Sequence, residues 1–383
     1  MKLSHHTARK ARKVFFFIHL WTGVILGLWF VMIGLTGSSL AWPELIGAEM
    51  KAMFPYERTS ANQPQIPLSQ AISAIKKAQP DITPKELSLV IVPNYRFPYY
   101  IFTRNNKVFH FTLFLVDPYS GKVNPPRQVI DFTTGKLEQL HMNLVLQAKG
   151  LIANGIFSVF VLFLLLTGLW LWWPSTLRQL KLRLTIKRGA PLRRLLMDLH
   201  NIMGIYLYII LFVTTATAIL MVVNDATHDG IEGPEPKALV VKPHGKRLAD
   251  DNLLQRAHRV LPNADFLFLE RPVQPQDAYQ IHFERRGFGL LRSGVLWLDP
   301  YSGSTLKIDR SSTASPAQKG MAIVESLHEG LYGGIWIKIL YTVAGFMPLG
   351  LFISGLLMWW KRKQQRAKGR ISANNDSAGA SAT

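Results

Sequence analysis

Histidine is the residue of this chain best placed to do chemistry. There are 11 histidines, and four of them stand in a pattern. His19-x-x-x-Gly23 recurs as His200-x-x-x-Gly204, 181 positions on, and Leu140-His141 recurs as Leu327-His328, 187 positions on. If the repeated units face each other across an axis, equivalent residues near that axis meet. The result is one pair from His19 and His200 and another from His141 and His328. Two neutral imidazoles on facing helices supply both axial ligands of a b-type haem. The glycine one turn after His19 and after His200 would leave room for a flat macrocycle, or would simply let helices pack closely.

The other residue types narrow the choice. With no cysteine, disulfides, thiolate-held iron–sulfur clusters, zinc ribbons and covalently attached c-type haem are excluded. Zinc or copper would need three or four clustered ligands, and the remaining histidines are not spaced for that. His5 and His6 lie in a terminal tail, His110 and His282 on expected strands, His258 on an expected helix, and His228 and His244 in loops. For each of these a surface or core role is the simpler reading. A lone histidine near a membrane interface is also most often just hydrogen-bonded, so it is the two matched pairs that point to ligation.

The elements that must carry these residues are membrane helices. Four stretches lack charge altogether: Val14 to Trp42, Leu151 to Trp173, Leu199 to Asn224 and Ile339 to Trp360. About 20 apolar residues cross a ~30 Å hydrocarbon core. The first stretch is too long for the apolar part of a signal peptide, and its His motif recurs in the third. The formal charge of +20 is concentrated at three places. Residues 1–13, 174–194 and 361–383 hold 18 basic residues against one acid, Asp376. All three lie on one side of a four-span chain. The positive-inside rule therefore puts both termini in the cytoplasm and both long loops outside, and it makes the basic runs topology signals, not a nucleic-acid surface.

The repeat extends along the chain. Asp117-Pro-Tyr-Ser-Gly121 recurs as Asp299-Pro-Tyr-Ser-Gly303, and Gly168-Leu-Trp-Leu-Trp-Trp173 recurs as Gly355-Leu-Leu-Met-Trp-Trp360. The fold expected is an all-α bundle of four transmembrane helices with two external α+β modules, built by parallel internal duplication. The expected segments are spans at 14–42, 141–173, 195–224 and 328–360, the second and fourth each including an external lead-in, with modules at 43–140 and 225–327. In the first module, spacing predicts a helix over Leu68–Ala78, then strands at Leu87–Val92, Tyr99–Phe102 and Val108–Val116. In the second it predicts a helix at Asp251–Val260, then strands at Phe266–Leu269, Tyr279–Phe283 and Gly294–Leu298. The Asp-Pro-Tyr-Ser-Gly segments are structural turns, the aspartate capping and the glycine supplying positive φ.

Depth separates the two pairs. His19 follows Lys13, and His200 follows Arg194, by six residues, ~9 Å along a helix. Both belong to the cytoplasmic half of the membrane. His141 and His328 each precede their Trp-Trp end by 32 residues, ~48 Å if helical throughout. They therefore sit at the outer interface or in a segment bent around Gly150 and Gly155, or around Gly330, Gly333 and Gly334.

These motifs in this order resemble the PepSY-associated transmembrane family, over about residues 10–365, and within it the inner-membrane ferric-siderophore reductases, those for ferrioxamine among them. The resemblance implies PepSY-like periplasmic modules, a bacterial inner-membrane oxidoreductase, and two bis-histidine b-type haems ligated by His19, His141, His200 and His328. It also implies transfer of electrons to a periplasmic ferric chelate such as ferrioxamine. The donor would be a quinol or a cytoplasmic reductase. No G-x-G-x-x-G or G-x-x-x-x-G-K-[ST] motif is present, so neither NAD(P)H binding in a Rossmann domain nor ATP hydrolysis is expected, while a flavin site stays open. The alternatives are a non-redox membrane protein whose external modules sense a ligand or regulate a protease, and, more weakly, a transporter. Spans two and four carry no buried charge to couple to an ion gradient.

Overall fold

The computed structural model describes residues 5–107, 110–227, 230–231, 239–285 and 289–380, with side chains described at 9–104, 111–227, 230–231, 239–285 and 289–365. In chain order the elements are α1 (His5–Leu40), α2 (Glu44–Met53), α3 (Leu68–Ala78), β1 (Leu89–Ile91), β2 (Tyr100–Lys107), β3 (His110–Val116), β4 (Arg127–Gln128) and α4 (Thr133–Asn143). Then come α5 (Gln147–Trp172), α6 (Leu177–Arg183), α7 (Leu192–Tyr206), α8 (Tyr208–Ala226) and α9 (Asp250–Val260). The last are β5 (Ala264–Glu270), β6 (Tyr279–Arg285), β7 (Ser293–Leu298), β8 (Thr305–Arg310), α10 (Pro316–Glu329) and α11 (Gly334–Ala380). They form two units. One is helical, built from the chain up to Ser38, Gly155–Ile219 and the chain from Leu340; the other is Ser39–Asn154 with Leu220–Ile339.

Among the described residues four helices are long and apolar enough to cross a membrane: Arg9–Leu40, Gln147–Trp172, Tyr208–Ala226 and Gly334–Gln365. Their outward side chains are apolar, as a lipid solvent requires; Ile25 is 69 % and Leu28 68 % exposed. The helical unit packs Val161, Leu165 and Leu211 against Trp29, Phe30, Phe212 and Leu351. Small residues let α1 and α11 touch. A Cβ on Gly34 would collide with the Gly345 carbonyl oxygen, and Ser38 Oγ donates to the Thr342 carbonyl at 3.1 Å. Such close approach with interhelical hydrogen bonding is how helices associate where lipid removes the hydrophobic drive.

One span differs from that expected. The third span is not one helix over 195–224. It breaks at Leu207 (φ −107°, ψ 9°), so His200 lies on α7 and the membrane-length segment is α8. The segments 141–173 and 328–360, expected to include a lead-in, each open on the end of a separate helix. His141 closes the separate helix α4 and His328 the separate helix α10. The first bend falls at Leu144–Leu146, and Gly150 and Gly155 lie inside α5.

Among the described residues the second unit holds one antiparallel sheet of eight strands, ordered β4-β3-β2-β1-β5-β6-β7-β8. Two separate modules were expected, but their strands join. β1 pairs with β2 on one side and β5 on the other, with Val90 opposite Leu269. Period-two alternation sorts each strand's side chains. Val90, Tyr100, Phe102 and Leu269 face α3 and α9, which contribute Leu68, Ala71, Ile72, Ile75, Leu253 and Ala257. On the opposite face Ile101, Leu113 and Leu115 pack with Met50 of α2 and Phe132. The helix read at Leu68–Ala78 has those bounds in the structure. The two Asp-Pro-Tyr-Ser-Gly segments are turns of one construction. Asp117 Oδ1 accepts from Tyr119 N at 2.7 Å, as Asp299 Oδ1 does from Tyr301 N at 2.7 Å. Gly121 and Gly303 sit at φ 75° and 70°.

Candidate functional site

In the helical unit the rings of His19, on α1, and His200, on α7, meet with centroids 6.3 Å apart and planes at 83°. Each is held by its other nitrogen. His19 Nδ1 lies 3.1 Å from the Leu164 carbonyl oxygen and 3.2 Å from Thr167 Oγ1, both on α5. A carbonyl only accepts, so the ring carries its proton on Nδ1. Thr167 gives its own hydroxyl proton to Phe163 O at 2.8 Å and so can accept from the ring. His200 Nδ1 lies 2.9 Å from Ser354 Oγ on α11, and that hydroxyl donates to Gly350 O at 2.7 Å. The networks set both rings in the Nδ1–H tautomer and leave Nε2 as the acceptor nitrogen, the tautomer that a metal-binding histidine needs.

Glycines seat the rings. A Cβ on Gly168 would lie 3.0 Å from His19 Cε1, and one on Gly355 3.6 Å from His200 Cε1. Gly23 and Gly204, singled out in the sequence, do not touch the rings. A Cβ added to either would stand 3.7 Å from a leucine side chain, Leu164 or Leu351, an ordinary contact distance.

In the sheet-bearing unit His141 and His328 meet with ring centroids 6.1 Å apart and planes at 49°. Both sit in the last turn of a short helix. Past α4 the chain turns through three non-glycine residues at positive φ, Leu144 (54°), Val145 (60°) and Gln147 (56°). Each such L-residue costs about 1–2 kcal/mol, and a β-branched valine there is an outlier. Tertiary bonds hold the turn. The Asn154 amide, buried in α5, donates to the carbonyls of His141 at 2.7 Å and Met142 at 2.9 Å. α10 and the turn after it are tied to the segment leading into β7, where Arg292 Nη1 donates to Leu331 O at 2.9 Å and Leu290 O accepts from Ser326 Oγ at 2.7 Å. Buried Glu284 organises this corner, accepting from Tyr95 Oη at 3.1 Å and pairing with Arg96 and Arg292. Glu138, one turn before His141, has its carboxyl pushed above the ordinary range by burial and by the charge of Glu329.

Two imidazoles bound to one iron at about 2.0 Å place their ring centroids about 6.3 Å apart. Both pairs stand at that separation. Donor type, count and spacing therefore fit a bis-histidine iron, and for the first pair the Nδ1 anchors fit as well.

The remaining histidines are engaged locally. His282 stacks on Phe268 at 3.9 Å and lies 3.0 Å from Glu270. His258 reaches Leu254 O, and His244 reaches Lys242 O. His228 lies outside the described residues, as do the side chains of His5, His6 and His110. Among the described residues no group of three His, Asp or Glu is placed to hold a metal ion.

Sequence reasoning missed the supporting residues Leu164, Thr167, Leu351, Ser354 and Asn154. Two were within reach. Thr167-Gly168 and Ser354-Gly355 stand 187 positions apart, the offset of the Trp-Trp motif, each placing a hydroxyl residue before the glycine that seats a ring. A family model described as PepSY-associated TM region matches residues 16–362. No curated protein matches the chain.

Proposed function

We propose that this chain, which belongs to the PepSY-associated transmembrane family, is a bacterial inner-membrane reductase holding two b-type haems. His19 and His200 would hold the inner haem, and His141 and His328 the outer. One observation carries the reading: two imidazole pairs, far apart in sequence, stand at 6.3 and 6.1 Å, the separation of two ligands on one iron. When bound, the haems supply one-electron transfer to a periplasmic ferric hydroxamate siderophore such as ferrioxamine, and iron reduced to Fe(II) is held less tightly by hard oxygen ligands.

The chain's own residues do the rest. Thr167, Ser354 and the Leu164 carbonyl hold proton and orientation on the inner imidazoles. Gly168 and Gly355 leave the rings their space. The apolar helical core keeps water away, which lowers the dielectric around a buried charge. Internal duplication accounts for the two pairs, as one ligand per repeat becomes two ligands per site. Basic residues at both ends and between spans support cytoplasmic termini. The electron donor would be a quinol or a cytoplasmic reductase.

Purified protein from haem-replete cells is expected to show a Soret band and, after dithionite, sharp α and β bands, with two haems per chain by pyridine haemochrome. Addition of ferrioxamine should reoxidise the haem and release Fe(II) to a ferrous chelator. Absence of a Soret band would sink the reading, and haem that ferrioxamine does not reoxidise would sink the substrate. Electron paramagnetic resonance should separate two low-spin ferric signals, because ligand-plane angle sets their anisotropy. The 83° pair should give the more anisotropic signal and the 49° pair the less. For Ser354→Ala we expect haem loss to an apo-globin acceptor to be about 10–100-fold more favourable at the inner site, the usual effect of removing an outer-sphere partner. Unchanged retention would count against the Nδ1 anchor.

A further inference from the structure

The helices bearing the outer histidines begin differently. α10 caps itself: Ser315 Oγ accepts from Gln318 N at 3.3 Å, the Gln318 side chain returns to Ser315 N at 3.2 Å, and Pro316 opens the helix. α4 has no cap of its own. Its N-cap residue is Phe132, which makes no side-chain cap bond, yet the first amides of any helix need acceptors. Glu49 of α2 provides them. One carboxylate oxygen takes Thr133 N, and the other takes Thr134 N at 3.0 Å and Thr134 Oγ1 at 2.8 Å. A negative charge at a helix N-terminus is also favoured by the helix dipole.

The carboxylate arrives on a rigid mount. Met50, the next residue, is fully buried in the core it shares with Phe132, the N-cap residue of α4. On α2, a Cβ on Gly47 would collide with the Arg96 carbonyl oxygen, so the helix lies hard against that loop. At the far end of α4, Asn154 grips the His141 and Met142 carbonyls and the chain turns through strained residues. α4 is thus set in place at both ends by bonds from other elements.

We infer that Glu49 is a positioning residue for the outer imidazole pair, holding α4 so that His141 stays opposed to His328. The inference rests on the haem reading above. Burial would raise the Glu49 carboxyl, but the bonds from Thr134 and Thr133 outweigh it and hold the group below the ordinary carboxylate range, so it is charged at neutral pH. Its counterpart function on α10 is met by Ser315, so the dependence falls on one side of the pair only.

The test uses full-length protein with Glu49→Ala and Glu49→Gln, read by amide hydrogen exchange across 133–136 and by resonance spectra and haem content. Glu49→Ala should speed exchange there at least tenfold. It should displace or abolish the outer ferric signal and leave the inner signal at wild-type position and intensity. Glu49→Gln keeps one carbonyl acceptor and should retain the outer haem with a shifted signal. Faster exchange with an unchanged outer signal would overturn the positioning role, as would equal loss of both haems. Unchanged exchange would overturn the cap. Wild-type protein without haem fails at the first measurement, which removes the underlying reading and this inference with it, separately from any result on the variants.

Discussion

Replacing His200 with alanine is expected to cut bound haem from two per chain to one, with the surviving haem showing the less anisotropic ferric signal. An iron ligated by two imidazoles has no low-spin state of that kind with one of them gone. The partner ring cannot compensate, because His19 Nδ1 is bonded to Leu164 and Thr167 on α5 and fixes where its Nε2 points. His19→Ala should therefore give the same product, and the double variant should lose no more than either single one, as expected when two residues act as one unit. His141→Ala and His328→Ala should remove the other signal and spare the first. The readouts are pyridine haemochrome per chain and the resonance spectrum. Loss of both haems from one inner substitution would mean the sites are not independent, and loss of neither would refute the ligands.

Leu269→Ala should destabilise the sheet by about 2–5 kcal/mol, the range for removing a fully buried leucine side chain. Leu269 is 0 % exposed and faces Val90, also 0 %, across the β1–β5 junction. Because the eight strands form one sheet, the effect should cross the junction. Hydrogen exchange should speed in β2 and β3 as well as in β5 and β6. Two independently folding modules would confine the change to residues 264–310. Protection in β2 that survives the substitution would therefore contradict a cooperative sheet.

Periodicity was readable wherever one stripe of a helix or one face of a strand met a core. Ala71, Ile72 and Ile75 mark α3, and Leu253 and Ala257 mark α9, and these helices lie where the pattern places them. The histidine pairs were readable because a repeat in the sequence becomes a meeting in space. α2, α4 and α10 were not. Each is short and flanks a long apolar run or a loop, and α4 takes the acceptors for its first amides from Glu49, distant in sequence. The joining of the two half-sheets was hidden for a similar reason. β1 has three residues, and nothing in Leu89-Val90-Ile91 announces that it is paired on both edges.

The β1–β5 junction also governs what the sheet can stick to. Two separate four-stranded sheets would expose four edge strands, each a row of unpaired amides and carbonyls able to recruit another chain. Joined, they leave two. One is β4, only two residues long. The other is β8, which carries Lys307, Asp309 and Arg310, with Lys307 and Asp309 paired at 2.7 Å. Both ends are poor templates for strand addition, so a chain with no disulfides to secure its sheet keeps its backbone hydrogen-bonding capacity turned inward.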